Sequence, residues 1–280
     1  MRADAALSSP MRCAVLGSPI AHSLSPTLHR AAYKALGLDW TYDAHDVGQA
    51  DLNAFMGSLT AQWRGLSITS PLKYRVVELC DEVETRARML AAVNTVVIDA
   101  DGTRTGDNTD VPGFLAAFRE AGVSELDSMV VVGAGATAAS VLAAAAELGA
   151  RRVAVVARSL SRAGPLVVTG SALGLDVELH DIAAPLTWPR VDAVVSTIPA
   201  NAQTPVAGLL AALAPVVFDV IYHPSRTPLV EQATATGLTV IGGFSLLLHQ
   251  AARQVELMCG TDDAPLEQMR EAGLAALGNR

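Results

Sequence analysis

Aromatic residues are scarce in this 280-residue sequence, at 4%, and charged residues make up only 17%. So few aromatics among so many Ala, Val and Leu argue against a β-sandwich and for helices packed on buried strands. Cations are in deficit, with 20 Lys and Arg against 28 Asp and Glu, a formal net charge of −8. That balance argues against nucleic acid or an anionic membrane surface as a partner. Cysteine is equally thin. Cys13, Cys80 and Cys259 are odd in number and far apart, which gives neither a metal spacing nor a disulfide framework. The six histidines add no pairwise spacing for a metal, so none is expected. The most apolar helix candidate, Ala138 to Leu148, is too short to span a bilayer. The opening MRADAALSSP carries Asp4 and lacks the apolar centre of a secretory signal, so the expected location is the cytoplasm.

What is present is a rhythm. Short apolar runs alternate with amphipathic stretches from end to end, the βα pattern of a mostly parallel sheet. In the first half, strands are predicted at Cys13–Gly17, Trp40–Asp46 and Gly65–Thr69. Helices are predicted from Pro26 to before Gly37, over Asp51–Leu59, and from Pro71 to about Cys80. Asn94–Asp110 reads as a hairpin turning at Asp101-Gly102, a favoured two-residue loop. The second half restarts at Ser128–Val132, with strands at Arg152–Ala157, Asp176–His180, Val191–Ser196, Val216–Val220 and Thr239–Ile241. A last helix runs from near Phe244 to about Cys259. The length suffices for two domains, each with its own core. The expected class is α/β, with residues 1–110 plus 244–280 as one domain and 111–243 as a dinucleotide-binding Rossmann domain.

Gly133-Ala134-Gly135-Ala136-Thr137-Ala138 has the form GxGxxA, after a strand and opening a helix. Glycines there permit a tight turn and a close approach to a pyrophosphate, whose charge sits on the helix N-terminus. The next strand ends in Arg158-Ser159-Leu160-Ser161-Arg162, where a carboxylate would mark NAD. Two guanidiniums and hydroxyls suit a 2′-phosphate instead, so NADP is favoured.

On the other side, Ser25-Pro26 reads as an N-cap followed by a proline at the first helical position. Ser23 and Ser25 then stand where a helix start favours an anion such as a carboxylate, or they only shape and cap the turn. Lys73, in the first turn of the helix expected from Pro71, is electrostatically awkward, which makes it a candidate for chemistry rather than a plain surface lysine. Asp110 ends the hairpin at the domain boundary, where a cleft would form. Should the two meet, the carboxylate would aim an ammonium able to protonate or stabilise the oxygen of a ketone receiving hydride; the alternative is an interdomain salt bridge.

Taken in order, GSPIAHSLSP, GLSITSPLK, AVNTVV, GDNTD, GAGATA, RSLSR, DVIYHPSRTPL and LLLHQ make the chain resemble the shikimate dehydrogenase family from Gly17 to Gln250. The resemblance implies reversible reduction of 3-dehydroshikimate to shikimate by NADPH, a step toward chorismate and the aromatic amino acids. It implies that Ser23 and Ser25 bind the substrate carboxylate and that Thr69 and Asn94 bind ring hydroxyls. Lys73 and Asp110 match the catalytic pair, and Tyr222 and Gln250 match further substrate ligands. Gly133, Ala134, Gly135, Ala136, Thr137, Arg158, Ser159, Arg162, Thr197, Ile198 and Gly243 fall on the cofactor side. The substrate domain is completed by the C-terminal helices, and the chain is expected as a monomer or homodimer. Where the family often has NATP and DGLGML, this chain has Ser196-Thr197-Ile198-Pro199 and Gly242-Gly243-Phe244-Ser245-Leu246-Leu247. Two other readings are a quinate/shikimate dehydrogenase that also uses NAD, and a non-catalytic NADP-binding sensor, which would not need both Lys73 and Asp110.

Overall fold

The computed structural model describes residues 10–184 and 188–278. The chain divides into two compact units. One ends at Thr109 and resumes at Leu248, and the other runs Asp110–Leu247. Asp110 therefore belongs to the second unit, and the helix over Gly243–Cys259 is divided between the two.

In the first unit the elements are β1 (Arg12–Gly17), α1 (Ser25–Ala35), β2 (Thr41–Asp46), α2 (Leu52–Gly57), β3 (Trp63–Ile68), β4 (Glu82–Val83), α3 (Thr85–Met89), β5 (Thr95–Ile98) and β6 (Arg104–Asp107). They form a six-stranded mixed sheet in the order β2-β1-β3-β5-β6-β4. β1 runs parallel to β2 and β3, while β5 is antiparallel to both β3 and β6. The interior of β1 is buried throughout, as suits a strand covered on both faces. Leu16, Leu66, Ile68, Leu72 and Val96 meet in the core against Met56 and Trp63.

Two local expectations fail here. The hairpin closes through a three-residue loop, Ala100 to Gly102, because the Asp99 N–H bonds to the Thr103 carbonyl and the Gly102 N–H bonds back to the Asp99 carbonyl. Gly102, at φ +89, supplies the left-handed residue that closes such a loop. Pro71 opens no α-helix. The chain turns there and forms only a 3₁₀ helix at Arg75–Leu79. The Lys73 carbonyl, which a helix would need for its own ladder, accepts the Val93 N–H at 2.9 Å instead.

The second unit holds α4 (Asp110–Glu120), β7 (Ser128–Val132), α5 (Ala136–Glu147), β8 (Arg152–Ala157), α6 (Leu160–Ala172), β9 (Asp176–Asp181), β10 (Ala193–Ser196), α7 (Ala207–Leu213), β11 (Val216–Asp219), α8 (Pro228–Ala235) and β12 (Thr239–Gly242). α9 (Gly243–Cys259) and α10 (Leu266–Gly278) follow. The sheet is all parallel, in the order β12-β11-β10-β7-β8-β9. That is the doubly wound Rossmann order, and β7, β10 and β11 are buried at every residue as it requires. Ala138–Ala145 of α5 are buried as well, small side chains that let the helix lie close on the strands.

Candidate active site

In each sheet the chain reverses its winding once, and a crevice opens at the carboxyl ends of the strands on either side of that point. In the first unit the point lies between β1 and β3. The loop after β1 leads to α1 and β2 on one side, and the chain after β3 leaves on the other. Ser23 lies in the first of these segments and Thr69 and Lys73 in the second. Gly17 lets them approach, since a Cβ there would strike the Thr69 methyl and the Ser70 carbonyl. The Thr69 N–H bonds to the Leu16 carbonyl and the Ser18 N–H to the Ser70 carbonyl, which ties the two segments together.

Capping at α1 differs from expectation. The helix begins at Ser25 itself, and Ser23 Oγ accepts the Ser25 N–H at 3.2 Å. Ser25 is buried, and its carbonyl meets His29 Nδ1 at 2.9 Å. His29 lies stacked on Tyr42 with ring centroids 4.0 Å apart, and burial pushes its imidazole down to about 4. Lys73 is half-buried in the turn after Pro71, not at a helix start, so the helix-dipole argument for it lapses.

Asn94 joins this edge just before β5, next to the end of β3: its carbonyl accepts the Ile68 N–H at 2.7 Å. Its side-chain oxygen accepts the Thr95 hydroxyl at 2.8 Å and the Thr109 N–H at 2.7 Å. Gln250 is buried on α9, and Gln254, one turn further on, donates from Nε2 to the Asn94 carbonyl at 3.1 Å. Sequence reasoning missed Gln254. Its spacing of four from Gln250 on one apolar helix was the available signal.

In the second unit Asp110 does not end the hairpin, whose strand β6 stops at Asp107; it opens α4, 5% exposed, where the helix start favours a carboxylate. Tyr222, half-buried, follows β11 in a segment pinned by Asp219. Asp219 accepts the Ile221 N–H at 3.1 Å, the Thr227 hydroxyl at 2.5 Å and Gln203 Nε2 at 2.9 Å. Burial raises its pKa all the same. Asp219, Gln203 and Thr227 were also missed, since buried polar residues announce themselves only by their partners.

The second crevice, between β7 and β10, is a cavity of about 520 Å³. Gly133, Ala134 and Gly135 line it with Arg158, Ser159, Arg162 and Ile198. Gly133 sits at φ +119, and a Cβ on it would run into the Thr197 hydroxyl. Thr197 Oγ1 itself donates to the Val132 carbonyl at 2.9 Å, so this residue braces the turn. At Gly135 the backbone is ordinary and a Cβ would meet nothing within 4 Å, so glycine there keeps space open beside the start of α5. Ala136 and Thr137 form the first turn of that helix. Ser159 caps α6, its Oγ accepting the Arg162 N–H, and both arginines are exposed at the cavity. A glycine cradle, a helix start and two cations fit a phosphorylated dinucleotide. Gly243 is placed by a different demand: a Cβ on it would strike the Val220 backbone. Among the described residues no group of three or more His, Cys, Asp or Glu could hold a metal, and no helix is long and apolar enough to cross a membrane.

Fold and cavity thus define a class, a two-unit α/β protein whose second unit has the Rossmann order and a cavity suited to a phosphorylated dinucleotide. The family model for the shikimate dehydrogenase substrate binding domain matches residues 15–96. A shikimate dehydrogenase (NADP(+)) from Methanopyrus kandleri is 37% identical, over 94% of this chain and 94% of its own length. The crystal structure of Mycobacterium tuberculosis shikimate dehydrogenase superposes with a TM-score of 0.86 at 40% identity, covering 95% of this chain and 100% of that one. Quinate dehydrogenase from Corynebacterium glutamicum, solved in complex with NAD, gives 0.83 at 33% identity, covering 95% and 100%. The chain belongs to the shikimate dehydrogenase family.

Proposed function

We propose that this chain reversibly reduces 3-dehydroshikimate to shikimate with NADPH. What carries the reading is the gathering of Ser23, Ser25, Thr69, Lys73 and Asn94 at one edge of the first sheet, on segments tied to one another. Hydroxyls at the start of α1 suit the ring carboxylate, which the helix dipole favours there without a cation. Thr69, Asn94, Tyr222 and Gln250 are assigned to orient the ring through its hydroxyls. Lys73 is assigned to the reacting oxygen, where an ammonium stabilises the developing charge and supplies a proton, and Asp110 is the carboxylate that aims it. NADPH, when bound, supplies the hydride. Gly133–Gly135 and the start of α5 suit its pyrophosphate, and Arg158, Ser159 and Arg162 its 2′-phosphate. A quinate enzyme using NAD is the second reading, favoured by the likeness to the Corynebacterium protein. Arg158 and Arg162 at the cavity weigh against it, because NAD has no 2′-phosphate to engage them.

The test is oxidation of shikimate by the purified chain with NADP, followed by absorbance of the reduced nicotinamide. Turnover that disappears in both Lys73→Ala and Asp110→Asn supports the assignment. A folded chain inert toward shikimate with either dinucleotide overturns it.

A further inference from the structure

Asn94 stands at the end of a buried chain of hydrogen bonds whose directions are fixed by which groups can donate. The Tyr42 phenol donates to Ser67 Oγ at 2.5 Å, and Ser67 Oγ donates to Gln254 Oε1 at 2.6 Å. With its oxygen so engaged, Gln254 turns Nε2 to the Asn94 carbonyl at 3.1 Å and to Thr95 Oγ1 at 3.0 Å. An amide nitrogen only donates, so the Thr95 hydroxyl accepts there; its own proton goes to Asn94 Oδ1, the nearer acceptor at 2.8 Å against 3.1 Å to Thr109 Oγ1, and the Thr109 hydroxyl also donates to Asn94 Oδ1 at 3.1 Å. Asn94 Oδ1 takes the Thr109 N–H as well. The side-chain oxygen is thus used within the protein, and the amide turns its Nδ2 the other way. Rotated by half a turn, it would set its NH₂ against the Thr109 N–H, donor against donor.

We propose that Gln254 is a positioning residue for substrate recognition: through Thr95 and the Asn94 backbone, and together with Thr109, it holds which end of the Asn94 amide meets a ring hydroxyl. The inference rests on the function proposed above and deepens it. Packing alone does not call for this chemistry. Tyr42, Ser67, Thr95 and Gln254 are at most 4% exposed, and apolar residues of the same volumes would fill the space without desolvating four polar groups. A fully satisfied buried network is what holds one amide orientation against its alternative.

Gln254→Glu tests this at constant volume, since it keeps an acceptor for Ser67 and leaves at most one donor, the acid hydroxyl, in place of two. The readout is discrimination: kcat/KM for shikimate divided by kcat/KM for analogues lacking one or the other of the two non-reacting ring hydroxyls. For the analogue lacking the hydroxyl that Asn94 binds, that ratio is expected to shrink by about tenfold or more in the variant, with the KM for NADP unchanged. A purely structural residue would lower activity toward both substrates alike and leave the ratio as it was. If Gln254→Glu does not fold, Thr95→Val, which removes the intervening hydroxyl at nearly constant volume, must narrow the same ratio. A folded variant that discriminates as the unaltered chain does overturns the proposal and leaves the function standing. An unaltered chain that does not discriminate at all overturns the function first.

Discussion

Lys73 stands in a turn whose carbonyl is bonded to Val93, so no helix start surrounds it and its place at the β1–β3 crevice is what recommends it. Lys73→Ala is expected to lower kcat by at least ~100-fold, the usual worth of a positioned acid–base group, while shikimate still binds by calorimetry. Arg158 is exposed at the cavity, and the function proposed here makes it the residue on which cofactor choice turns. Arg158→Ala should raise the KM for NADPH and leave that for NADH nearly unchanged; equal effects would remove the 2′-phosphate argument. His29 makes a pH prediction. Burial holds its imidazole neutral in the folded chain down to about 4, against an ordinary value of 6.5. Below 6.5 the unfolded chain gains a proton that the folded one refuses, so this contribution is intact above 6.5 and is lost as the pH falls toward 4. Urea unfolding should therefore lose about 1 kcal/mol per pH unit in that window from this group. In His29→Phe, which keeps a ring against Tyr42, the slope should flatten; an unchanged slope would assign it to other groups.

At the scale of elements, the glycine turn after β7 is the most exacting. Gly133 needs both a left-handed backbone and no Cβ against Thr197. Gly133→Ala is expected to cost about 1–3 kcal/mol from the backbone alone and to abolish NADP binding, measured by chemical unfolding and cofactor fluorescence. Strands such as β1, β7, β10 and β11 were legible because their apolar runs reflect burial on both faces, which depends on composition and not on distant partners, whereas the two-residue β4 was not foreseen. What failed were ends and turns decided by such partners. Pro71 looks like a helix start, but Val93, distant in sequence, takes the Lys73 carbonyl the helix needs. Ser25-Pro26 looks like a cap and first turn, but the helix starts at Ser25, the cap position falls on Leu24 with no side-chain cap, and Ser23 Oγ accepts the Ser25 N–H. Asp101-Gly102 looks like a two-residue loop, but the Asp99 N–H bonds to the Thr103 carbonyl and leaves three residues between them. Of the candidate site, the residues carried by motifs were legible. Gln254, Asp219 and Gln203 were not, because their meaning lies in hydrogen bonds between segments far apart in sequence.

At the scale of the whole molecule, two units with separate cores imply that each ligand stabilises the unit that binds it. NADP at roughly one hundred times its Kd should add about 2.7 kcal/mol to the unit spanning Asp110–Leu247, read as a raised melting transition, and shikimate should act chiefly on the other, which carries Ser23, Ser25, Thr69, Lys73, Asn94 and Gln250. Both ligands moving a single shared transition would mean that the units unfold as one. The measurement that bears most directly on the account is the steady-state oxidation of shikimate and of quinate by the purified chain, each with NADP and with NAD. The account predicts that kcat/KM with shikimate and NADP exceeds the other three combinations. A chain that turns over quinate with NAD at least as well would contradict it.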